Sequence, residues 1–160
     1  MEITRKGVPT TIEGVQPKVG DTAPAFALTN LNGQTVTVDT LKGKKTIVSV
    51  FPDINTRVCD LQTRRFFQIA KDLPNVNIVN ISNNTIDQLG GWCATEGIEA
   101  EMLSDANLEF AKAYGLFMPE FNVLARSIFV FDETGTITYV EIVPDMATEP
   151  NYDAAIAALN

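Results

Sequence analysis

A chain of 160 residues, 45% hydrophobic and 20% charged, has the size and the apolar content of one packed domain spanning 1–160 and does not read as disordered. Its net charge of −8 argues against nucleic acid and anionic membrane surfaces as partners. Histidine is absent and cysteine occurs twice, which removes Ser-His-Asp and Cys-His catalysis and leaves too few ligands for a Cys- or His-based zinc site, so neither metal nor cofactor is expected.

The stretch Met1 to Lys6 carries charges of both signs, and no run approaches the roughly 18 apolar residues of a membrane span. A cytoplasmic protein is therefore expected. Thr10 to Val15 is β-prone and punctuated by Pro9, Gly14, Pro17 and Gly20, which suggests an N-terminal hairpin. Phe26 to Thr29 leads through the turn pair Asn32-Gly33 into the alternating Thr35-Val36-Thr37-Val38. Lys42 to Lys45, with its glycine, reads as a turn. Thr46 to Phe51 is short, β-branched and stopped by Pro52, the pattern of a buried central strand.

A helix is expected from Cys59 to Lys71, ended by Pro74, with Leu61, Phe66, Ile69 and Ala70 available for its buried face. Val76 to Ile81 repeats the buried-strand pattern. Thr85 to Glu96 reads as a helix, because Thr85 and Gln88 form a capping-box pair and Gly97 supplies a C-terminal stop. Leu108 to Tyr114 is a short helix before Gly115. Ser127 to Phe131 and Thr136 to Val143 read as strands joined by the Asp132–Gly135 turn, and Tyr152 to Leu159 as a closing helix. The crossover helix makes the Thr46 and Val76 strands parallel neighbours. Together these elements predict an α/β thioredoxin-like fold, a central mixed sheet flanked by helices with an N-terminal β-hairpin. Asp105 and Glu109 read as solvated surface charges.

The chemistry concentrates in Pro52-Asp53-Ile54-Asn55-Thr56-Arg57-Val58-Cys59. A strand ending at Pro52 and a helix opening near Cys59 put a thiol at a helix N-terminus, where free N–H groups and the helix dipole favour the nucleophilic thiolate. Thr56 lies close enough in a turn to reach the sulfur or an oxygen bound there, and Pro52 shapes the loop and limits water. Taken alone, a free cysteine is more often a small apolar core residue.

The segment resembles the peroxiredoxin motif Pro-x-x-x-Thr-x-x-Cys, with Pro52, Thr56 and Cys59 at its fixed positions. Cys93, in Gly91-Trp92-Cys93-Ala94, and Arg126, in Leu124-Ala125-Arg126-Ser127, extend the similarity to the atypical two-cysteine, thiol peroxidase subfamily, as does the turn Thr148 to Tyr152. One departure is Asn55, where that subfamily often has aspartate. The resemblance implies reduction of hydrogen peroxide and organic hydroperoxides through a Cys59 sulfenic acid and a Cys59–Cys93 disulfide. It also implies that Arg126 holds the thiolate and the peroxide, and that Thr56 completes the polar cradle. It further implies thioredoxin or a similar dithiol as reductant, and a homodimer built near the active-site loop.

If the two cysteines start on separate packed helices, local unwinding around Cys59 and the Thr85–Gly97 helix is expected during turnover. Trp92 reads as a packing anchor with a share in reductase docking as the alternative. Phe117, Met118, Phe121 and Leu124 read as core or interface, with an apolar rim for peroxide access or a dimer contact as alternatives. The rival functions are a non-enzymatic redox switch using the same pair, a structural disulfide in a secreted fold, and a dithiol oxidoreductase. The last normally uses Cys-x-x-Cys, and position 56 here is threonine.

Overall fold

The computed structural model describes residues 1–160. In chain order its elements are β1 (Glu2–Arg5), β2 (Val8–Thr11), β3 (Ala27–Asn30), β4 (Thr35–Thr37), α1 (Val38–Leu41) and β5 (Lys45–Val50). They continue with α2 (Arg57–Asp72), β6 (Val76–Ser82), α3 (Ile86–Glu96), β7 (Glu101–Ser104) and α4 (Glu109–Ala113). The chain closes with β8 (Phe117–Met118), β9 (Val123–Leu124), β10 (Ser127–Phe131), β11 (Ile137–Ile142) and α5 (Tyr152–Ala157). No helix is long and apolar enough to cross a membrane.

Seven strands form one sheet in the order β11-β10-β5-β6-β7-β3-β4. β5, β6 and β7 run parallel, and β10, β11, β3 and β4 pair antiparallel on either side. The sheet is mixed, as the parallel βαβ pair with an added hairpin predicted. β5 is central because it is buried on both faces: Val48 and Val50 point into one apolar cluster and Ile47 into another. On the first face, Phe26, Phe110, Tyr114 and Phe129 stack edge-on or face-on with centroids 4.0 to 5.3 Å apart along the chain of contacts. On the opposite face, α2 packs through Phe66 and Ile69, α5 through Ala155, and Leu159 follows just beyond α5.

α2 turns Cys59, Gln62, Thr63, Phe66 and Ile69 inward at helical spacing. Leu61 falls off that stripe and is 36% exposed, against expectation. The N-terminal hairpin is real but lies earlier than Thr10 to Val15: β1 and β2 turn at Lys6-Gly7, where φ is 50° and 84°. The Thr35–Val38 segment is strand only to Thr37, since Thr37 and Thr40 form a capping box that starts α1 at Val38. Past β2 the chain runs against Gly115, whose φ is 63° and where an added Cβ would lie 2.5 Å from the Val15 backbone. Gln16 Nε2 donates to the Gly115 carbonyl there at 2.7 Å, closing the N-terminal segment onto the domain.

Asp105 is not a surface charge. It is 1% exposed, and its carboxylate accepts the Phe110 and Ala111 N–H groups at 2.9 Å each, satisfying the opening turn of α4. Burial pushes its pKa upward, and those two N–H bonds offset part of the shift.

Candidate active site

β5 delivers the chain to Phe51 and buried Pro52, after which residues 52–56 form a loop and Thr56 caps α2. Asn84, at the β6–α3 junction, holds that loop. Its Oδ1 accepts Ile54 N–H at 2.9 Å and its Nδ2 donates to Asp53 Oδ1 at 3.0 Å. Asn55 donates its backbone N–H and its side-chain amide to the same Asp53 oxygen. A second carboxylate at position 55 could not donate, so Asn55 is the matched partner of Asp53 in this chain.

Cys59 lies in the first turn of α2 and is fully buried. The N–H groups of that turn have no acceptor inside the helix, and the Thr56 side chain does not cap them. Thr56 is exposed; its hydroxyl donates to the Asp53 carbonyl at 2.8 Å, which leaves the oxygen free to accept. Arg126, just ahead of β10 and 2% exposed, brings Nη1 to 3.4 Å from Cys59 Sγ and to 2.8 Å from Gln62 Oε1, while Nη2 donates to the Met146 carbonyl at 2.8 Å. Its Nε–H has no acceptor. Gln62, one turn after Cys59, is itself fixed by donating to Ser49 Oγ at 2.7 Å and to the Val50 carbonyl at 3.2 Å.

The guanidinium is thus buried, aimed at a thiol, and free of any ion pair with a carboxylate. An unpaired buried charge is costly, and the side-chain atoms its Nη1 meets are Cys59 Sγ and Gln62 Oε1. Arg126 also lines a cleft of about 250 Å³ together with Pro52, Thr56 and Val58. The structure therefore brings Pro52, Thr56, Cys59 and Arg126 together at one place.

Cys93 sits on α3, buried, in the same apolar cluster as Cys59 with Phe51, Leu89 and Trp92 between the two elements. Both cysteines are free thiols. Burial pushes the Cys93 thiol up, partly countered by the Ala100 N–H, so it is held as the protonated thiol at neutral pH. Trp92 is buried and donates from Nε1 to Asp60 Oδ2 at 3.1 Å. Arg64 reaches both Asp60 and Glu96 and lies over the indole at 5.6 Å. The residues beside the two cysteines are therefore tied across α2 and α3. Met118 and Leu124 are core, Phe117 is partly buried against it, and Phe121 is exposed beneath the Arg5 guanidinium at 5.1 Å.

Sequence reading missed Gln62, Asn84 and Met146. Gln62 carries a faint signal, a polar residue on the inward stripe three positions after the cysteine. Met146 acts through its carbonyl, for which no side-chain signal exists.

The AhpC/TSA family model matches residues 19–140. A thiol peroxidase of Streptococcus sanguinis is 45% identical over 155 residues, covering 96% of this chain and 95% of its own. One of Bacillus subtilis (strain 168) is 43% identical over 159 residues, covering 98% and 95%. Among solved structures, a peroxiredoxin-like protein from Aquifex aeolicus superposes with a TM-score of 0.88 at 28% identity, covering 98% of this chain and 95% of that one. With the thioredoxin-like sheet, the buried cysteine at a helix start and the arginine aimed at its sulfur already in place, these similarities establish that the chain belongs to the AhpC/TSA family of peroxiredoxins, alongside its thiol peroxidases.

Proposed function

We propose that this chain is a thiol peroxidase in which Cys59 attacks hydroperoxides and Cys93 of the same chain resolves the product. The observation that carries the reading is the contact of Arg126 Nη1 with Cys59 Sγ at 3.4 Å, made by a buried guanidinium that no carboxylate neutralises. The Cys59 thiolate attacks the terminal peroxide oxygen and the O–O bond breaks. The leaving oxygen takes a proton from solvent and departs as water or an alcohol, and Cys59, keeping the terminal O–H, becomes a sulfenic acid. Arg126 stabilises the sulfur charge and donates to the peroxide oxygens; Thr56 Oγ1 accepts a hydrogen bond from the hydroperoxide O–H, since its own hydrogen is spent on Asp53. Pro52 closes the cleft wall against water. Alignment and fixed dipoles supply the acceleration.

Cys93–SH then condenses with the sulfenic acid, releasing water and forming the Cys59–Cys93 disulfide. Both thiols are buried on separate helices, so this step proceeds through local unwinding of the α2 start and of α3. A dithiol of the thioredoxin kind returns the pair to thiols by exchange. The enzyme acts in the cytoplasm as a homodimer; sedimentation as a monomer at micromolar concentration would remove the dimer.

The function is tested by single-turnover consumption of hydrogen peroxide and cumene hydroperoxide by pre-reduced protein. One equivalent should vanish rapidly, with the fast phase lost in Cys59→Ser and kept in Cys93→Ser. Slow oxidation indifferent to which cysteine is replaced would instead favour a redox switch.

A further inference from the structure

The cleft leading to Arg126 has an unusual charge for so acidic a molecule. The chain has 12 lysines and arginines against 20 acids. Four of those bases, Arg5, Lys6, Arg57 and Arg126, line this one cleft of about 250 Å³, and no aspartate or glutamate does. None of the four is in an ion pair. They come from three separate parts of the chain, so local sequence does not explain the cluster: Arg57 opens α2, Arg126 precedes β10, and Arg5 with Lys6 come from the hairpin turn.

That turn is built to stay where it is. Lys6 occupies the left-handed region at φ 50°, a conformation disfavoured for a residue with a Cβ. It is held there by Asp145, whose carboxylate accepts Lys6 N–H at 3.2 Å, Gly7 N–H at 3.0 Å and Thr4 Oγ1–H at 2.5 Å. Asp145 is thereby engaged behind the turn and does not line the cleft. The next residue, Met146, donates its N–H to the Thr4 carbonyl and accepts Arg126 Nη2–H. The hairpin is therefore wired by two bonds in series to the arginine that touches the reacting sulfur. The remaining lining is Thr56 and the apolar Pro52, Val58, Met146 and Ala147.

A lining with four bases, an apolar portion and the guanidinium that meets Cys59 Sγ match a ligand with three parts. It would carry a peroxide at one end, a small hydrocarbon body and an anion at the other. We propose that the hairpin makes this enzyme selective for small organic hydroperoxides bearing a carboxylate, with Arg5, Lys6 and Arg57 taking the carboxylate while Arg126 takes the peroxide. The inference rests on the peroxidase reading. Hydrogen peroxide needs only Arg126, and a neutral organic hydroperoxide adds the apolar wall but leaves Arg5, Lys6 and Arg57 unused. An inorganic peroxide anion would leave the apolar wall unused.

The test compares kcat/KM for cumene hydroperoxide with that for its ring-carboxylated derivative, a pair that differs in the anion. The wild-type enzyme should favour the carboxylate by roughly tenfold at low salt, as focused fields in a charged cleft do. The ratio should fall toward one in Arg5→Gln/Lys6→Gln, and in the wild type as ionic strength rises to about 0.5 M and the Debye length shrinks. The salt series needs no variant, so a hairpin that misfolds on substitution does not spoil the test. Equal kcat/KM for the two substrates in the wild type, or a preference that survives both salt and the double variant, would overturn the proposal. If Cys59 is not oxidised even by hydrogen peroxide, the underlying peroxidase reading falls, a result separable from loss of selectivity.

Discussion

Replacing Trp92 with phenylalanine should speed disulfide formation. Trp92 precedes Cys93 on α3, Asp60 follows Cys59 on α2, and the indole N–H bond of 3.1 Å between them closes the gap between the two cysteine-bearing helices. In the proposed cycle, condensation of Cys93 with a Cys59 sulfenic acid proceeds by opening of those helices, so each contact between them would raise the cost of the resolving step. A buried hydrogen bond to a charged acceptor is worth about 1.5–3 kcal/mol. Asp60 is partly exposed and keeps Arg64, so roughly 1 kcal/mol is the appropriate share for the Trp92 bond. Phenylalanine retains most of the packing in the cluster around Cys93 and loses the donor. An opening equilibrium shifted by about 1 kcal/mol corresponds to roughly fivefold more open molecules.

The assay is a competition. Pre-reduced protein is mixed with excess peroxide, and mass spectrometry measures the fraction that becomes disulfide against the fraction over-oxidised to sulfinic acid. The disulfide-to-sulfinic ratio should rise about fivefold in Trp92→Phe. An unchanged ratio would show that the bond across α2 and α3 does not limit opening. A lower one would show that Trp92 instead guides Cys93 to the sulfur, and either would refute the reasoning.

Three further outcomes follow from the same geometry. Gln62→Leu removes the acceptor that orients Arg126, so kcat/KM for peroxide should drop about 10- to 100-fold with Cys59 still present, measured by single-turnover oxidation. Gly115→Ala combines a left-handed φ with a Cβ in the Val15 backbone, and should cost about 2–4 kcal/mol, read as a fall in Tm of about 4–16 °C by calorimetry. Asp145 is held well below the usual carboxylate range, first by the Thr4 hydroxyl and then by N–H groups of Ala147, Gly7 and Lys6. Its folded pKa lies below its unfolded one, so its stabilisation is full above about pH 4 and is lost as pH falls toward the folded value. The Tm gap between wild type and Asp145→Asn should accordingly be widest near neutrality and narrow below about pH 4; a gap independent of pH would contradict this.

What was legible in the sequence were features fixed by local chemistry. α3 follows its expected frame because Thr85 and Gln88 close a capping box and Gly97 adopts the left-handed stop. β5 and β6 were readable because each is a short segment dominated by Val and Ile and bounded by turn residues or proline, as strands buried on both faces are. β7 was not, since its four residues, Glu101 to Ser104, carry two apolar side chains and become a strand only by pairing with β6 and β3. Asp105 and Leu61 were misjudged for one shared reason: residue type predicts exposure on average, while position on the packed element decides it. Pro52, Thr56 and Cys59 were singled out through a motif, and Cys93 and Arg126 through the wider resemblance. Gln62 and the Met146 carbonyl, which place the arginine, depend on tertiary proximity across β5, α2 and the segment after β11.

The central claim, that Cys59 is the attacking thiol and Cys93 its partner within one chain, is tested most directly by intact-mass spectrometry after one equivalent of hydrogen peroxide. The wild-type protein should lose two hydrogens and stay a single chain on a non-reducing gel. Cys93→Ser should gain one oxygen that a sulfenic-acid trap captures, and Cys59→Ser should be unchanged over the same time. A gain of oxygen in Cys59→Ser, or wild-type protein that links chain to chain, would contradict the account.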